Sequence, residues 1–539
     1  MTDTDSWLTP SRRRLLSGLG AGSVAALAGC SSANSGDGGD GSDGSDGSDG
    51  GDGGDTTTSG DGEDGNDGPT TVRIGIAQGG WDLIPARDTD FVSNLVYTLV
   101  YDNVVNLNPA AEVVPELATA VNKESDTQYV FDLREGVTFH NGEEFTAEDV
   151  KYTYDWIQNE ENPRKNYVAQ VESVVVEDDT TVRFDLSEPF APFLYKIHAV
   201  MWPLSQTAVE EAGENYNQQP VGTGPFTFDS WDSGNTATLS AYEDYWNGEP
   251  SIDTVEFRIL PQASSKVTQL ETGDVDIVDT VPAPFAGRVQ GTDGIELIQT
   301  GGVSSGRVDF NTDVDGLGNR DVRRALTWAI DKQQIVDTVF TGFADPAKSV
   351  LPNSFPQYAD DISDFNHPNG DTDQAQKLLQ DAGYGDLSLQ IKTSTRSEHR
   401  RAATLIQSMW SEIGVDASVK SLDGNTFFSQ ELEGNYEVAV SNWTWLGDPD
   451  TLLYLYHSQG LNVWNIADDE LDSMLDEQRR VTGEERQQLI RDIQQYVYEE
   501  AFSVYTYYPK RLQGISSDIS GFEQYPNGSF RSLGGASVN

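Results

Sequence analysis

Residues 31–69 hold 14 Gly and 11 acidic residues, no basic residue and no large apolar side chain. Such a stretch cannot bury enough surface to offset the entropy of ordering, and it is expected to be a disordered Ser/Asp/Gly tether. Any packed core must therefore come from residues 70–539. That remainder carries 31 of the 34 basic and 75 of the 88 acidic residues, a net charge of -44. A globule this acidic repels itself at ordinary salt. At about 1 M salt the Debye length falls to about 3 Å and the repulsion is screened, so adaptation to strong brine is expected. The same excess leaves no basic patch for phosphates, which excludes nucleic acid as an expected partner.

Ahead of the tether, Arg12 and Arg13 precede an uncharged apolar run over residues 15–29. The run is too short to span a bilayer core of roughly 30 Å and reads as an export signal. The order Ser11-Arg12-Arg13-Arg14-Leu15-Leu16 resembles the twin-arginine signal, and Leu27-Ala28-Gly29-Cys30 resembles a lipobox. Residues 1–30 are thus expected to be removed up to Cys30, which would carry the lipid. With one Cys, no internal disulfide and no thiolate zinc cluster can form. The five His show no short ligand spacing, so neither a metal nor a cofactor is expected.

Within the folded part, apolar alternation predicts strands at 72–76, 127–133, 171–176, 181–186, 226–231, 236–241 and 254–260. Helices are expected at 90–100, from Thr146 as N-cap to 156, and at 321–332, 373–382, 397–412, 469–480 and 484–499. Further strands are expected at 388–392, 416–420, 437–441 and 503–508. The mixture predicts an α/β class with mixed sheets. Gly302-Val303-Ser304-Ser305-Gly306 matches G-x-S-x-G, but a strand pattern follows it where a nucleophile elbow needs a helix, so it reads as a turn and no catalytic residue is assigned. Asn442-Trp443-Thr444-Trp445-Leu446-Gly447-Asp448-Pro449-Asp450 places two Trp beside a Gly-Asp-Pro turn, a composition suited to a cleft wall.

Several ordered segments together resemble the family 5 solute-binding proteins of ABC transporters, which bind oligopeptides, dipeptides and nickel. They include Tyr101-Asp102-Asn103-Val104, Pro115-Glu116-Leu117-Ala118, and Leu133-Arg134-Glu135-Gly136-Val137-Thr138-Phe139 with Thr146-Ala147-Glu148-Asp149-Val150. Pro220-Val221-Gly222-Thr223-Gly224-Pro225-Phe226 and Asp321-Val322-Arg323-Arg324-Ala325-Leu326 continue the series. The resemblance implies a two-lobed fold of the type II periplasmic-binding-protein kind, in its large cluster C form. Lobe I would cover 70–312, with an extra subdomain at about 100–220; lobe II would cover 313–504, and 505–539 would return to lobe I. It implies a monomer that breaks no bond, closes on its ligand by a hinge, and serves a permease and ATPase from the outer face of the cytoplasmic membrane, held there by its lipid. The implied cleft residues are Trp81, Trp202, Asn311, Trp443, Trp445 and Asp448. Peptide binders of the family carry, four residues before the loop Pro, an Asp that pairs with the peptide amino terminus. Trp445 stands there instead, so that pairing is either absent or falls to Asp448. Sugar oligomers, or a nickel chelate through His457, are the other ligands the resemblance allows; an exported hydrolase is the reading outside the family.

Overall fold

The computed structural model describes residues 69–539 apart from 80, 89–91, 160, 233–235, 363–368, 445–446 and 526. The expectations for Arg12, Arg13, Cys30, the tether up to residue 68, and Trp445 lie outside the described residues. A 12-stranded mixed sheet forms the backbone of the molecule. Labelling its strands in chain order, the first half contains β1 (Thr71–Ile76), β2 (Phe226–Asp232), β3 (Thr236–Ala241), β4 (Thr254–Ile259), β5 (Ile277–Val278) and β6 (Ile295–Gly301). The second half contains β7 (Ser304–Phe310), β8 (Ser388–Ser394), β9 (Asp416–Leu422) and β10 (Val438–Thr444). β11 (Ser503–Ser516) runs through both. The hydrogen-bonded order is β9-β8-β10-β7-β11-β5-β1-β4-β3-β2, with β6 and the short strand Ala344–Pro346 also paired to β11.

Where the halves meet decides how the molecule can move. The first part of β11 pairs antiparallel with β7, and residues 510–516 pair with β6. Two chain segments therefore pass side by side between the lobes, at 301–304 and at 507–511. A Cβ on Gly302 would lie 2.2 Å from the Pro509 carbonyl oxygen, so the closeness of the two crossings requires glycine there. The resemblance puts the changes of lobe at 312/313 and 504/505. Strand pairing changes at the residues just given, because β7 joins β10 through Ser304↔Thr444 to Phe310↔Val438.

Each lobe has its own apolar core. Ile74, Leu99, Phe131, Phe184 and Phe257 belong to the first. In the second lobe, Val308, Ile391 and Trp410 form one cluster, and Tyr456, Trp464 and Tyr505 another. A separate four-stranded sheet, Ala118–Ser125, Gln128–Leu133, Thr181–Leu186 and Val171–Asp178 in spatial order, lies in the segment expected as an extra subdomain. The helix Ala147–Ile157 beside it begins with a capping box: the Thr146 N–H donates to Asp149 Oδ2 at 2.9 Å. Among the described residues no helix is long and apolar enough to cross a membrane.

Candidate functional site: a cavity between the lobes

A cavity of about 150 Å³ takes its walls from both lobes. From the first lobe, the helix Asn94–Val100 supplies Asn94 and Tyr97, the turn Lys165–Val168 and its N-cap supply Tyr167 and Arg164, and the helix Phe193–Val200 supplies Tyr195, Lys196 and His198. Trp202 follows that last helix, and Asn527 comes from the chain after β11. The second lobe contributes Gly447 and Asp448 from the loop after β10, and Thr451 from the short helix Asp450–Leu453 that follows. Outside the cavity the lobes touch directly, the Ala191 N–H donating to the Arg479 carbonyl at 2.7 Å.

The first-lobe wall is aromatic and cationic. Trp202 is 4% exposed and meets the Tyr97 ring edge-on, with centroids 5.4 Å apart. Arg164 and Lys196 both lie over the Tyr167 ring, at 5.5 and 5.3 Å. The Arg164 Nη1–H donates to the Ala199 carbonyl, which fixes the guanidinium. His198 is buried, and that burial holds its pKa down to about 4, so the ring is neutral near pH 7. Burial likewise raises the Tyr97 phenol well above its ordinary value.

The second-lobe wall is a carboxylate already spoken for. Asp448 is 1% exposed. Arg486, from the helix Gly483–Glu500, grips it through both nitrogens, with Nη1 to Oδ2 at 2.7 Å and Nη2 to Oδ1 at 2.5 Å. Asp448 Oδ1 also accepts the Asp450 N–H at 2.8 Å. Asp450, buried beside it, accepts from Gln478 Nε2 at 2.6 Å and pairs with Arg479 Nε at 3.1 Å. Arg479 in turn lies over the Tyr454 ring at 4.0 Å and the first lobe's Phe190 ring at 5.2 Å.

Of the residues expected to form the cleft, Trp202 and Asp448 meet at this cavity, and three others sit elsewhere. Trp443 is packed in the second-lobe core: Arg307 covers its ring at 4.5 Å, and its Nε1–H donates to Glu431 Oε1 at 3.4 Å. Arg307 is itself buried and paired with Asp309 at 2.9 Å, so the aromatic face of Trp443 is occupied by the protein's own cation. Trp81 is 2% exposed and packs on Trp231, with centroids 5.3 Å apart. Asn311 ties loops together, donating to the carbonyls of Gly434 and Tyr436 and accepting from Asp313 N and Asn465 Nδ2. His457, the candidate nickel ligand, lies away from the cavity, stacked on Tyr454, and its Nδ1 accepts the Gln459 N–H at 3.0 Å. Among the described residues no cluster of His, Cys, Asp and Glu is arranged to hold a metal ion. Arg164, Tyr167, Lys196 and His198 escaped the sequence reading. The i, i+4 pair His198–Trp202 beside Tyr195-Lys196 was the available signal, but the helix Phe193–Val200 ends before Trp202.

The family model for bacterial extracellular solute-binding proteins, family 5 middle, matches residues 112–462. The chain is 26% identical over 459 residues to the dipeptide-binding protein of Escherichia coli strain K12, covering 77% of this chain and 85% of that one. It is 27% identical over 468 residues to heme-binding protein A of Haemophilus influenzae, covering 80% and 85%. The crystal structure of the ABC transporter substrate-binding protein CtaP from Listeria monocytogenes superposes with a TM-score of 0.81 at 23% identity, covering 87% of this chain and 99% of that one.

Proposed function

The chain belongs to the family 5 bacterial extracellular solute-binding proteins, and from that premise we propose that it captures peptides between its lobes and delivers them to the permease of an ABC importer. One observation carries the proposal: the cavity has walls from both lobes, and two chain crossings join those lobes, about which they can turn. A ligand touching both walls stabilises the state in which the lobes meet, which is the differential interaction that hinge closure requires. The peptide class is supported by the dipeptide-binding relative. The protein itself breaks no bond in this reading; a separate ATPase supplies the energy. Arg12, Arg13 and Cys30 suit export and lipid attachment, and the acidic tether suits a monomer held off the membrane surface in strong brine. Trp202 in the cavity wall provides the test. Titration with dipeptides is expected to change Trp fluorescence saturably, with the peptide recovered intact by mass spectrometry. Steady appearance of cleavage products would instead support the exported-hydrolase reading.

A further inference from the structure

We propose that the cavity selects acidic ligands, a peptide bearing an acidic side chain whose carboxylate is received between Arg164 and Lys196; the peptide part of this statement rests on the function proposed above. Two cations on the first-lobe wall carry charge that no ion pair among the described residues compensates. Arg164 and Lys196 share one face partner, Tyr167, and neither forms an ion pair among the described residues. Two cations held together at a half-buried wall repel each other, and an anion between them relieves that repulsion. The chain is otherwise acid-rich, yet among the described residues no carboxylate pairs with either cation.

Among the described residues, the facing wall offers no free negative charge. Both oxygens of Asp448 are committed to Arg486. Asp450 is within electrostatic reach of Lys196, but Arg479 and Gln478 hold it. Asp88 acts on Tyr97 from the first lobe together with Arg164, and is buried at 2% exposure. A ligand ammonium entering here meets two cations and a neutralised carboxylate, so recognition of an amino terminus is disfavoured and recognition of a carboxylate favoured.

His198 is 7% exposed, and its Nδ1 is buried without a partner. The ring is neutral; with its one proton on Nε2, Nδ1 is an acceptor. Asn94 Oδ1 is a second buried acceptor at the cavity without a partner. A fully deprotonated anion has no donor for these atoms; a peptide N–H satisfies them.

The test is calorimetric titration of the full chain with Ala-Glu, Ala-Ala, Ala-Lys and the non-peptide dicarboxylate glutarate. It is repeated on Lys196→Gln and on the double variant Arg164→Gln/Lys196→Gln. A charge-assisted contact predicts Ala-Glu binding about ten- to a hundredfold tighter than Ala-Ala, with Ala-Lys weakest. Lys196→Gln, whose side chain makes no hydrogen bond among the described residues, is expected to keep its melting temperature and lose part of that preference; the double variant loses all of it. Binding of glutarate that depends on both cations, with no dipeptide bound, leaves the anion subsite standing and removes the peptide reading. Dipeptides bound without regard to charge, a preference that survives the double variant, or no binding of either acidic probe overturns the proposal.

Discussion

Replacing Arg486 by Ala tests whether Asp448 belongs to the scaffold or to the ligand. Asp448 is 1% exposed, and Arg486 supplies two of its hydrogen bonds, at 2.7 and 2.5 Å; the Asp450 N–H supplies a third. Removing the guanidinium leaves a carboxylate facing the cavity with one donor, and also frees the Gln478 carbonyl that Arg486 Nε holds at 2.9 Å. Removing one partner of a buried pair costs roughly 3–5 kcal/mol. At about 2–4 °C per kcal/mol for a unit of 150–250 residues, the melting temperature should fall by roughly 6–20 °C. The pair is buried, so the loss should persist at high salt, unlike that of a surface ion pair. Circular dichroism melts of the wild type, Arg486→Ala, Asp448→Asn and the double variant form a cycle. Asp448→Asn in the Arg486→Ala background is expected to restore about half of the loss or more, because the stranded charge is gone. A loss below about 1 kcal/mol for Arg486→Ala, or no rescue by Asp448→Asn, would show that Asp448 is not committed to Arg486. It would then be free to meet a ligand ammonium, contrary to the reasoning above.

Two further outcomes follow from the charge distribution. Burial, with Asp309 nearby, raises the Glu431 pKa to about 7, against the opposing pull of Arg307. An acid whose folded pKa lies above its unfolded value binds more protons when folded, so stability should decline as pH rises from about 4.5 to about 7. Denaturant melts across that range should show a flatter profile for Glu431→Gln, and an unchanged slope would contradict the assignment. The acid excess predicts a higher melting temperature in about 3 M than in about 0.1 M salt, and equal stability in both would count against adaptation to brine.

Much of the fold was legible because short-range patterns were strong. Strands β1, β3 and β4 and the helix Ser397–Glu412 fall where periodicity put them. Long-range choices were less visible. Pro509 reads locally as a strand end, yet β11 continues to Ser516, because the proline falls where the strand exchanges β7 for β6 and its missing N–H coincides with the crossing. The helix expected over 321–332 is two helices, Arg320–Trp328 and Lys332–Val339; Asp331 caps the second by accepting the Gln334 N–H at 2.7 Å. For the site, a Trp in a strand-to-loop sequence looks the same whether it faces a ligand or an internal cation. Trp443 packs on Arg307, 136 positions earlier in the chain, a pairing created by β7 lying against β10. Trp202 and Asp448 meet only because the lobes do, and no local pattern encodes that meeting.

Hinge closure is the central claim, and a distance measured between the lobes tests it most directly. Glu188 and Arg480 are exposed and flank the Ala191–Arg479 contact between the lobes. Spin labels at Glu188→Cys and Arg480→Cys, with Cys30→Ser to remove the native thiol, would report the separation by pulsed electron resonance. Saturating dipeptide is expected to collapse a broad distribution onto one short distance consistent with that contact. A distribution that does not change while the peptide is demonstrably bound would contradict closure.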